Sequence, residues 1–413
     1  AYEIYMGDWS SDVCSSDTRR GDTLTANFDQ RNRDTLSVIP TVGTVRKTFG
    51  GPLDQLTRVW IDSFVDSIGG INPSRAWRYD QRGRLLSDTS YTGSTARTLV
   101  YAYDTYERNY RTTDAIGQWD MEYETNRGYP IKLKTPLADT VSYTWDTRSR
   151  PVGPTVSSNG VKVTVTPEWN EAGALKQIST WLGSTQWLAG KWTNLGQTDA
   201  NAPVKSRWYE KLGNGAATDS TTTFAEYDGW ERLDDWTTLH SAPNQDQTYA
   251  FDATGNIVGW TYDGTTDRLT LHGADSLRYD RAGNLVQKIS GGVTWVYGYD
   301  ALNRLVSARR GGTLIARYAY DIEGRRIAKR VYSSASGGVV GYTRFVYRAA
   351  HVGFETDSAG TIGMRYVWGL SVDDLIAFED GAGNHYYVAK DKVGSTYMEI
   401  EERRVGKECR SRW

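Results

Sequence analysis

The amino-acid sequence predicts an all-β fold built from tandem β-hairpins, and three observations indicate it. The 413 residues are rich in aromatics, with 27 Tyr, 16 Trp and 8 Phe, and they contain 42 Gly but only 10 Pro. A short motif that joins an aromatic residue to Asp recurs along the chain. Between its copies, residues alternate as they do in half-buried strands. Because aromatics favour strands and Gly favours tight turns, many short strands are expected.

The recurring motif consists of an aromatic residue, Asp, two variable residues, then Gly, Asn or Glu, then Arg or Asn. We expect the aromatic residue to end a strand, and the Asp carboxylate to accept backbone N–H groups in an Asx turn. The Gly or Asn supplies the positive φ that the reversal needs. On the strand before one copy, Leu99, Tyr101 and Tyr103 share a face, whereas Val100 and Ala102 share the other.

Seven copies match the motif closely, and their turn residues are the predicted structural site. These residues are Tyr79, Asp80 and Gly83, Tyr103 and Asp104, Tyr227 and Asp228, Phe251, Asp252 and Gly255, Tyr279, Asp280 and Gly283, Tyr299 and Asp300, and Tyr320, Asp321 and Gly324. Looser copies begin at Phe28, Tyr123, Trp145, Trp169 and Tyr209. Counting the long interval from Asn170 to Glu210 as two units, the copies are about 22 residues apart, which is enough for two strands and two turns. Each unit is therefore predicted to be one hairpin, and hairpins must stack into a continuous sheet to bury an apolar face.

The motif and its period resemble the YD repeat of the Rhs family, which is shared with insecticidal toxin-complex C subunits and animal teneurins. The resemblance covers roughly residues 75–397 and extends more weakly to about residue 18. Downstream, Tyr366 to Gly369, Asp380 to Asn384, Tyr386-Tyr387 and Asp391 to Ser395 are similar to the family's core-proximal segment. This chain has Lys392 and Val393 where the family usually has His and Leu.

The resemblance implies a spiralling sheet, or part of a hollow β-shell, that encloses a C-terminal toxin. It implies no enzymatic activity for this chain, because the toxin and any self-cleavage site are expected beyond Thr396. The expected partners are the protein's own C-terminal toxin domain, secretion machinery or carbohydrate, and the expected location is secreted or at the cell surface. The alternative function is a cell-surface module that binds carbohydrate or another cell.

The sequence predicts a division of the chain into five segments. Residues 1–17 are expected to be a non-native leader and residues 398–413 a non-native tail, since both resemble translated sequencing adaptors; a natural polar tail at each end is the alternative. The leader has no charged region followed by an apolar core, so it is not a signal peptide. Residues 18–74 are a degenerate repeat region, 75–340 the repeat array and 341–397 a truncated core-proximal segment. Cys14 and Cys409 stand alone near the two ends and form no disulfide framework.

Composition and motifs give no support to catalysis, cofactors or metal binding. The four histidines, His240, His272, His351 and His385, lack the spacing of zinc ligands. The repeated Asp residues could be read as paired acids of a glycosidase, but one structural role at the turn accounts for every copy. The stretch from Asp380 to Asn384 faintly resembles a calcium loop and lacks its alternating acidic ligands.

The nearly balanced charge of the chain is unlike that of dedicated nucleic-acid or anionic-membrane binders, which usually carry an excess of basic side chains. The chain has 48 basic and 50 acidic side chains, and no apolar run approaches the 18 residues of a membrane span. A basic stretch from Arg304 to Arg330 is interpreted as a sheet face whose Arg stems cover aromatic rings; contact with cargo or nucleic acid is the alternative. The Trp residues are interpreted as packing residues, with sugar stacking as their alternative.

Overall fold

The structure, a computed structural model, describes residues 13–17, 23–39, 42–50, 52–62, 73–92, 95–158, 161–171, 173, 175–194, 204–213, 216–230, 232–239, 245–321, 323–333, 335, 337–371, 373–390 and 396–401. Every regular element of these ranges is a β-strand, which confirms the predicted all-β fold. Within them, no helix has the length and apolar character to span a membrane.

The first sheet has 20 strands that follow one another in chain order. They are β1 (Val13–Asp17), β2 (Thr23–Phe28), β3 (Asp34–Ile39), β4 (Gly43–Gly50), β5 (Gln55–Asp62), β6 (Pro73–Tyr79), β7 (Leu85–Thr92), β8 (Thr95–Tyr103), β9 (Asn109–Thr113), β10 (Gln118–Tyr123), β11 (Pro130–Lys134), β12 (Thr140–Trp145), β13 (Pro151–Ser158), β14 (Val161–Trp169), β15 (Leu175–Leu182), β16 (Thr185–Asn194), β17 (Val204–Gly213), β18 (Ala216–Tyr227), β19 (Leu233–Leu239) and β20 (Gln245–Thr248). Each strand pairs antiparallel with the next, so the sheet is a meander of hairpins.

The second sheet has 14 strands with the same consecutive antiparallel pairing. They are β21 (Thr261–Tyr262), β22 (Leu269–His272), β23 (Asp275–Tyr279), β24 (Leu285–Ser290), β25 (Val293–Tyr299), β26 (Leu305–Arg310), β27 (Thr313–Tyr320), β28 (Arg326–Tyr332), β29 (Val339–Arg348), β30 (His351–Thr356), β31 (Ile362–Trp368), β32 (Leu375–Asp380), β33 (His385–Lys390) and β34 (Thr396–Glu401).

The sheets separate within residues 249–260, a break that the repeat spacing does not predict. The turn at Asp252 forms there, but Phe251 makes only an isolated bridge with Ile257. The second sheet, by contrast, runs without interruption through the predicted boundary at 340/341, because β29 crosses it. Residues 13–17 of the predicted leader form β1, which pairs with β2, and β34 reaches into the predicted tail.

From β23 to β28, the motif turns alternate with other connections, so the two kinds of turn lie at opposite ends of these strands. One end carries the Asp turns, for example between β23 and β24 and between β25 and β26. The other end carries two-residue connections such as Gly291-Gly292, with φ of 55° and 75°. Two successive positive φ values give a turn whose twist matches that of the flanking strands. The hairpin is therefore the structural unit, as predicted.

The looser motif copy at Tyr209-Glu210 does not form a turn, and that prediction was wrong. Strand β17 continues to Gly213, so both residues lie inside it and pair with Gly190 and Ala189 of β16. The two residues match the motif in sequence but not in structure, because the strand that contains them ends only at Gly213.

The largest apolar core joins the two sheets. Trp119, Val141 and Tyr143 of the first sheet pack in one cluster with Val367 and Tyr387 of the second. Val141, Val367 and Tyr387 have no exposed surface. Burying a large apolar side chain contributes roughly 1.5–3 kcal/mol, so this cluster is a principal force holding the sheets together.

Replacing Gly153 with Ala is expected to lower the free energy of unfolding by about 3 kcal/mol or more. The added Cβ would overlap the carbonyl oxygen of Val165, and Gly153 has a φ of 110°. Backbone strain and overpacking each cost about 1–3 kcal/mol. Urea denaturation followed by circular dichroism measures the loss.

Gly324→Ala is the matched control. Gly324 also has a positive φ, 81°, but a Cβ there meets nothing within 4 Å. Its cost is therefore that of backbone strain alone, about 1–2 kcal/mol. Equal losses in the two variants would contradict the proposed overlap at Gly153.

Candidate functional site: the repeat turns and the seam between the sheets

The turn after Tyr79, the last residue of β6, shows how the motif works. The N–H of Asp80 donates to the carbonyl of Arg84 at 2.9 Å, and the N–H of Gly83 donates to the carbonyl of Asp80 at 3.0 Å. Oδ1 of Asp80 accepts the N–H groups of Arg82 and Arg84, and Oδ2 accepts Arg84 Nε at 2.7 Å. We call this bonding of one carboxylate to backbone and Arg the turn clamp.

The turn clamp recurs along both sheets. The other pairs are Asp29–Arg33, Asp104–Arg108, Asp146–Arg150, Asp228–Arg232, Asp300–Arg304 and Asp321–Arg325. Asn284 replaces Arg at Asp280 and donates to the same carboxylate through its side chain at 2.9 Å. At Asp252, Oδ1 accepts the N–H groups of Thr254 and Asn256.

The other predicted site residues occupy matching places in their turns. Strands end at Tyr103, Tyr227, Tyr279, Tyr299 and Tyr320. Gly83, Gly255, Gly283 and Gly324 have φ of 80°, 91°, 94° and 81°. In two other copies, Glu107 and Asn303 take a positive φ at that position. The motif positions thus lie together within each turn, and the predicted turns of one sheet lie at the same ends of its strands.

The Arg of the motif has a second role that the sequence analysis did not assign. Its guanidinium lies over the aromatic ring of the next unit, at 4.3–5.2 Å from the ring centroid. The pairs are Arg33–Phe49, Arg84–Tyr103, Arg108–Tyr123, Arg150–Trp169, Arg232–Phe251, Arg304–Tyr320 and Arg325–Tyr347. Such contacts contribute about 0.5–1 kcal/mol each at exposed sites. The regular spacing of four residues from Asp to Arg was the signal available in the sequence.

The aromatic residue returns a hydrogen bond to the unit before it. Tyr103 Oη donates to the carbonyl of Leu85 at 2.9 Å, and Tyr320 Oη donates to that of Leu305 at 2.8 Å. Trp145 uses its indole Nε1 in the same way, toward Pro130. Where a unit has Arg in its turn and the next unit has Tyr or Trp, as at Arg84 and Tyr103, the strand ladder, the Arg stack and the ring hydrogen bond join the two; we call this set of contacts the unit link.

Further turns of this kind were missed because their aromatic residue is displaced or replaced. Asp357 follows Thr356, and its Oδ1 accepts the N–H groups of Ala359 and Thr361. At Asp380, which was treated as a plain turn, the carboxylate accepts both the N–H and the side-chain amide of Asn384. The carboxylate is engaged by its own turn, the role of a turn residue rather than of an ion ligand.

The clamp lowers the pKa of the carboxyl groups that form it. The side-chain hydrogen bond from Arg33 is the main cause that lowers the pKa of Asp29 to about 2. For Asp146, the N–H of Arg150 is the main cause of the lowered pKa. At Asp80, burial is the largest effect and acts to raise the pKa, but the hydrogen bonds from Arg84 and Arg82 together outweigh it.

Between the sheets lies a second set of polar contacts, which we call the seam. Arg348, at the end of β29, donates from Nε and Nη2 to Oδ2 of Asp114 at 3.0 and 2.8 Å. The side chain of Asp114 is 4% exposed and that of Arg348 is 15% exposed. The guanidinium also lies 3.4 Å from the ring centroid of Trp119. This pair joins residues that are 234 positions apart.

Two further groups of polar and charged side chains join the sheets at the seam. Arg75 forms a bidentate pair with the buried Asp88 and a salt bridge with Glu323 of the second sheet. His385 Nε2 lies 3.0 Å from Glu379 Oε2, and its Nδ1 lies 3.6 Å from Oδ1 of Asp139 in the first sheet. The seam residues escaped sequence analysis because each pair is distant in the chain and carries no local pattern.

The four histidines lack zinc-ligand spacing in the sequence, and the structure shows the surroundings of three of them. His351 stacks on Trp368 at 4.5 Å, and His272 lies 4.4 Å from Trp260. His240 and Cys409 lie outside the described residues. Among the residues that are described, no group of three or more His, Cys, Asp or Glu side chains is placed to hold a metal ion.

Comparison with known proteins bears on these repeats. The profile of the Teneurin YD-shell family matches residues 206–408, which run from β17 to beyond β34. Residues 206–408 belong to the YD-shell family. The same turn clamps at Asp29, Asp80, Asp104 and Asp146 lie before the matched YD-shell region, so the repeat architecture continues upstream of it.

Solved structures similar to this chain come from Tc toxins. The structure described as TcdB2-TccC3-TEV has 14% identity and a TM-score of 0.47, over 93% of this chain and 22% of that one. TcdB2-TccC3 has 13% identity and a TM-score of 0.47, over 94% and 24%. The Photorhabdus luminescens Tc holotoxin pore has 13% identity and a TM-score of 0.37, over 94% and 26%. The chain thus spans about a quarter or less of each. No curated protein matches the sequence.

Acidification is expected to weaken the YD-shell chain through its turn clamps. Because the clamps lower the pKa of Asp29 and Asp146 in the folded chain, the unfolded chain, with Asp near 3.9, takes up protons first as pH falls. The stability that the clamps contribute is therefore complete above about pH 4 and is lost as pH falls through the folded values.

NMR titration of Asp carboxyl carbons measures this effect at one site. Asp29 is expected to titrate near pH 2, and Arg33→Gln to return its midpoint toward the ordinary value of about 3.9. An unchanged midpoint in the Arg33→Gln variant would show that the clamp does not set the pKa.

Breaking the seam is expected to destabilise the chain strongly. Arg348→Ala leaves Asp114 buried without this cation, and removal of one partner of a buried pair costs about 3–5 kcal/mol. The control is Arg82→Ala, whose pair with Glu107 has side chains 69% and 52% exposed. That variant is expected to change the free energy of unfolding by less than about 1 kcal/mol. Similar losses in both variants, measured by urea denaturation, would count against the seam.

Proposed function

We propose that this chain is part of the wall of an Rhs-type toxin shell, which houses a toxin encoded at the C-terminal end of the full-length protein. The YD-shell domain itself is a structural shell. The toxin, the secretion route and the location outside the cell are parts of the proposal. The observation that carries it is the unit link, which joins successive hairpins by contacts of the same geometry, repeated along the chain, and involves no reactive group.

The wall role follows from how the charges are used. The Asp carboxylates that a hydrolase reading would require are bonded to their own turns, as at Asp80 and Asp300. The Asp300 clamp is also among the most buried, with side chains 3% and 12% exposed for Asp300 and Arg304. Carboxylates held in this way stabilise turns, and this supports a structural role over a catalytic one.

The carbohydrate-binding alternative has weaker support. It requires several Trp side chains exposed along one groove, whereas the described rings mostly lie half-buried under Arg or against each other. Among the described side chains, Trp230 is the exposed Trp, at 83%, at the tip of the Asp228 turn. Tyr106 occupies the equivalent tip and is 73% exposed. A glycan array tests this alternative. We expect that any glycan bound by the full chain is bound equally well by the Trp230→Ala variant.

Protease protection of the complete gene product tests the shell proposal. Limited trypsin digestion is expected to leave the C-terminal toxin domain intact when the shell is present and to degrade the same domain expressed alone. Arg348→Ala leaves Asp114 buried without its cation, weakens the seam and is expected to restore digestion, while Arg82→Ala is the control that leaves protection unchanged. Equal digestion with and without the shell, or a complete gene without a further C-terminal domain, would refute the proposal.

A further inference from the structure

Next to the seam, a cleft of about 40 Å³ lies between the two sheets. Its walls include Arg75, Ser90 and Arg97 of the first sheet and Asp321, Arg325 and Val346 of the second. A cavity holds a water molecule once this volume reaches about 10–15 Å³. The cleft therefore has room for a small polar group such as the end of a carboxylate side chain.

The cations in the cleft differ in how they are paired. Arg75 pairs with Asp88 and Glu323, and Arg325 is held in its own turn clamp. The side chain of Arg97 makes no hydrogen bond and no ion pair with any residue that the structure describes; its backbone pairs with Ser90. Its guanidinium lies over the ring of the buried Phe354 at 5.2 Å from the centroid. This fixes the plane of the guanidinium and leaves its N–H groups available.

Arg344 of β29 is a second cation. It does not line the cleft itself but lies two residues before Val346, which does line it and which pairs with Phe354. In the described part of the chain, its hydrogen bond is the one from Nε to Tyr342 Oη, at 3.1 Å, and no carboxylate pairs with it. Burial chiefly, and the charge of Arg344 secondly, lower the pKa of Arg97. Two cations thus lie near each other in a partly desolvated place.

Arg330 of β28 extends the positive charge on the same sheet face. It is directly opposite Tyr342, and Arg344 lies two residues further along β29. The two guanidinium groups lie 5.3 and 5.5 Å from the Tyr342 ring centroid. Nε of Arg330 is buried with no hydrogen-bond partner among the described residues. A buried donor left without a partner costs about 1–3 kcal/mol.

Such an arrangement is unfavourable in the chain by itself. Like charges near each other and donors without acceptors both destabilise a fold. An anion in the cleft would offset the repulsion around Arg97 and accept its free N–H groups, because guanidinium groups bind carboxylate oxygens through paired, charge-assisted hydrogen bonds. The geometry is that of a site whose acceptor comes from another molecule or another part of the full-length protein.

We propose that this cleft binds a carboxylate of an acidic polypeptide segment, with Arg97 as its anchor and Arg344 adding positive charge from beside the cleft. The identity of the segment as the housed polypeptide rests on the proposed shell function. The cleft lies between the sheets that would form the wall, and its size admits a carboxylate side chain. A free oxyanion such as phosphate shares the chemistry, so the test distinguishes the two sources.

Binding of a labelled hexaglutamate peptide to the full chain, followed by fluorescence anisotropy at low salt, tests the site. Arg97→Gln is expected to weaken binding about tenfold or more, the effect of losing a charge-assisted hydrogen bond. Arg344→Gln is expected to weaken binding by less, because it removes only a charge beside the cleft. Arg309→Gln, at an exposed residue of β26, which pairs with neither β8 nor β29, is the control and leaves the affinity unchanged. Added salt weakens binding in every case because it screens the charges.

A second measurement separates binding from a role in stability. Melting temperatures of the Arg97→Gln and Arg344→Gln variants without peptide are expected to equal or exceed that of the parent, since each variant removes like-charge repulsion. Arg97→Lys and Arg344→Lys keep the charge and serve if a Gln variant fails to fold; they are expected to bind the peptide more weakly than the parent.

Three results would overturn the proposal. Absence of peptide binding, or peptide binding that all four variants retain at full strength, removes the site. A rise in melting temperature with inorganic phosphate that Arg97→Gln abolishes, together with no binding of the peptide, assigns the cleft to a small oxyanion instead. These measurements use this chain alone, so they can fail while the protease test of the shell succeeds, and the converse also holds.

Discussion

The pairing of Asp with the Arg four residues later is the interaction on which the rest of the structure depends. The Asp carboxylate closes its turn by accepting backbone N–H groups, and the Arg that completes the clamp then reaches the next unit. At Asp300, for example, Arg304 holds the carboxylate at 2.7 Å, donates to the carbonyl of Asp321 at 2.8 Å and covers Tyr320. One side chain therefore sets both the local reversal and the contact between neighbours. Loss of a clamp affects two hairpins rather than one.

The two kinds of contact in the molecule have different physical character. The unit links are many, individually weak and partly exposed, and their contribution comes from repetition along the sheet. The seam contacts are few and buried, as at Arg348 and Asp114, so each is sensitive to the loss of a partner. A long meander built from links alone would have no fixed relation between distant strands. The seam and the apolar cluster around Tyr387 supply that relation.

This division of roles suits a container wall. Repeated links let the sheet extend by adding hairpins, while the seam determines how the sheet returns upon itself. Carboxylates are engaged in the turns, whereas Arg97 and Arg344 beside the cleft lack acidic partners among the described residues. The proposed anion site therefore lies between the sheets rather than at the outer turns.

The sequence by itself determined the strand class, the hairpin unit and the chemistry of the turns. These follow from contacts over about four residues, such as Asp80 with Arg84, and from alternation along single strands, both of which are visible in the order of residues. It did not disclose the break at 249–260 or the strand that runs through Tyr209. The seam was decided by tertiary structure alone. Asp114 and Arg348, like Asp139 and His385, carry no local pattern that relates them, because the accumulated twist and packing of many strands brings them together.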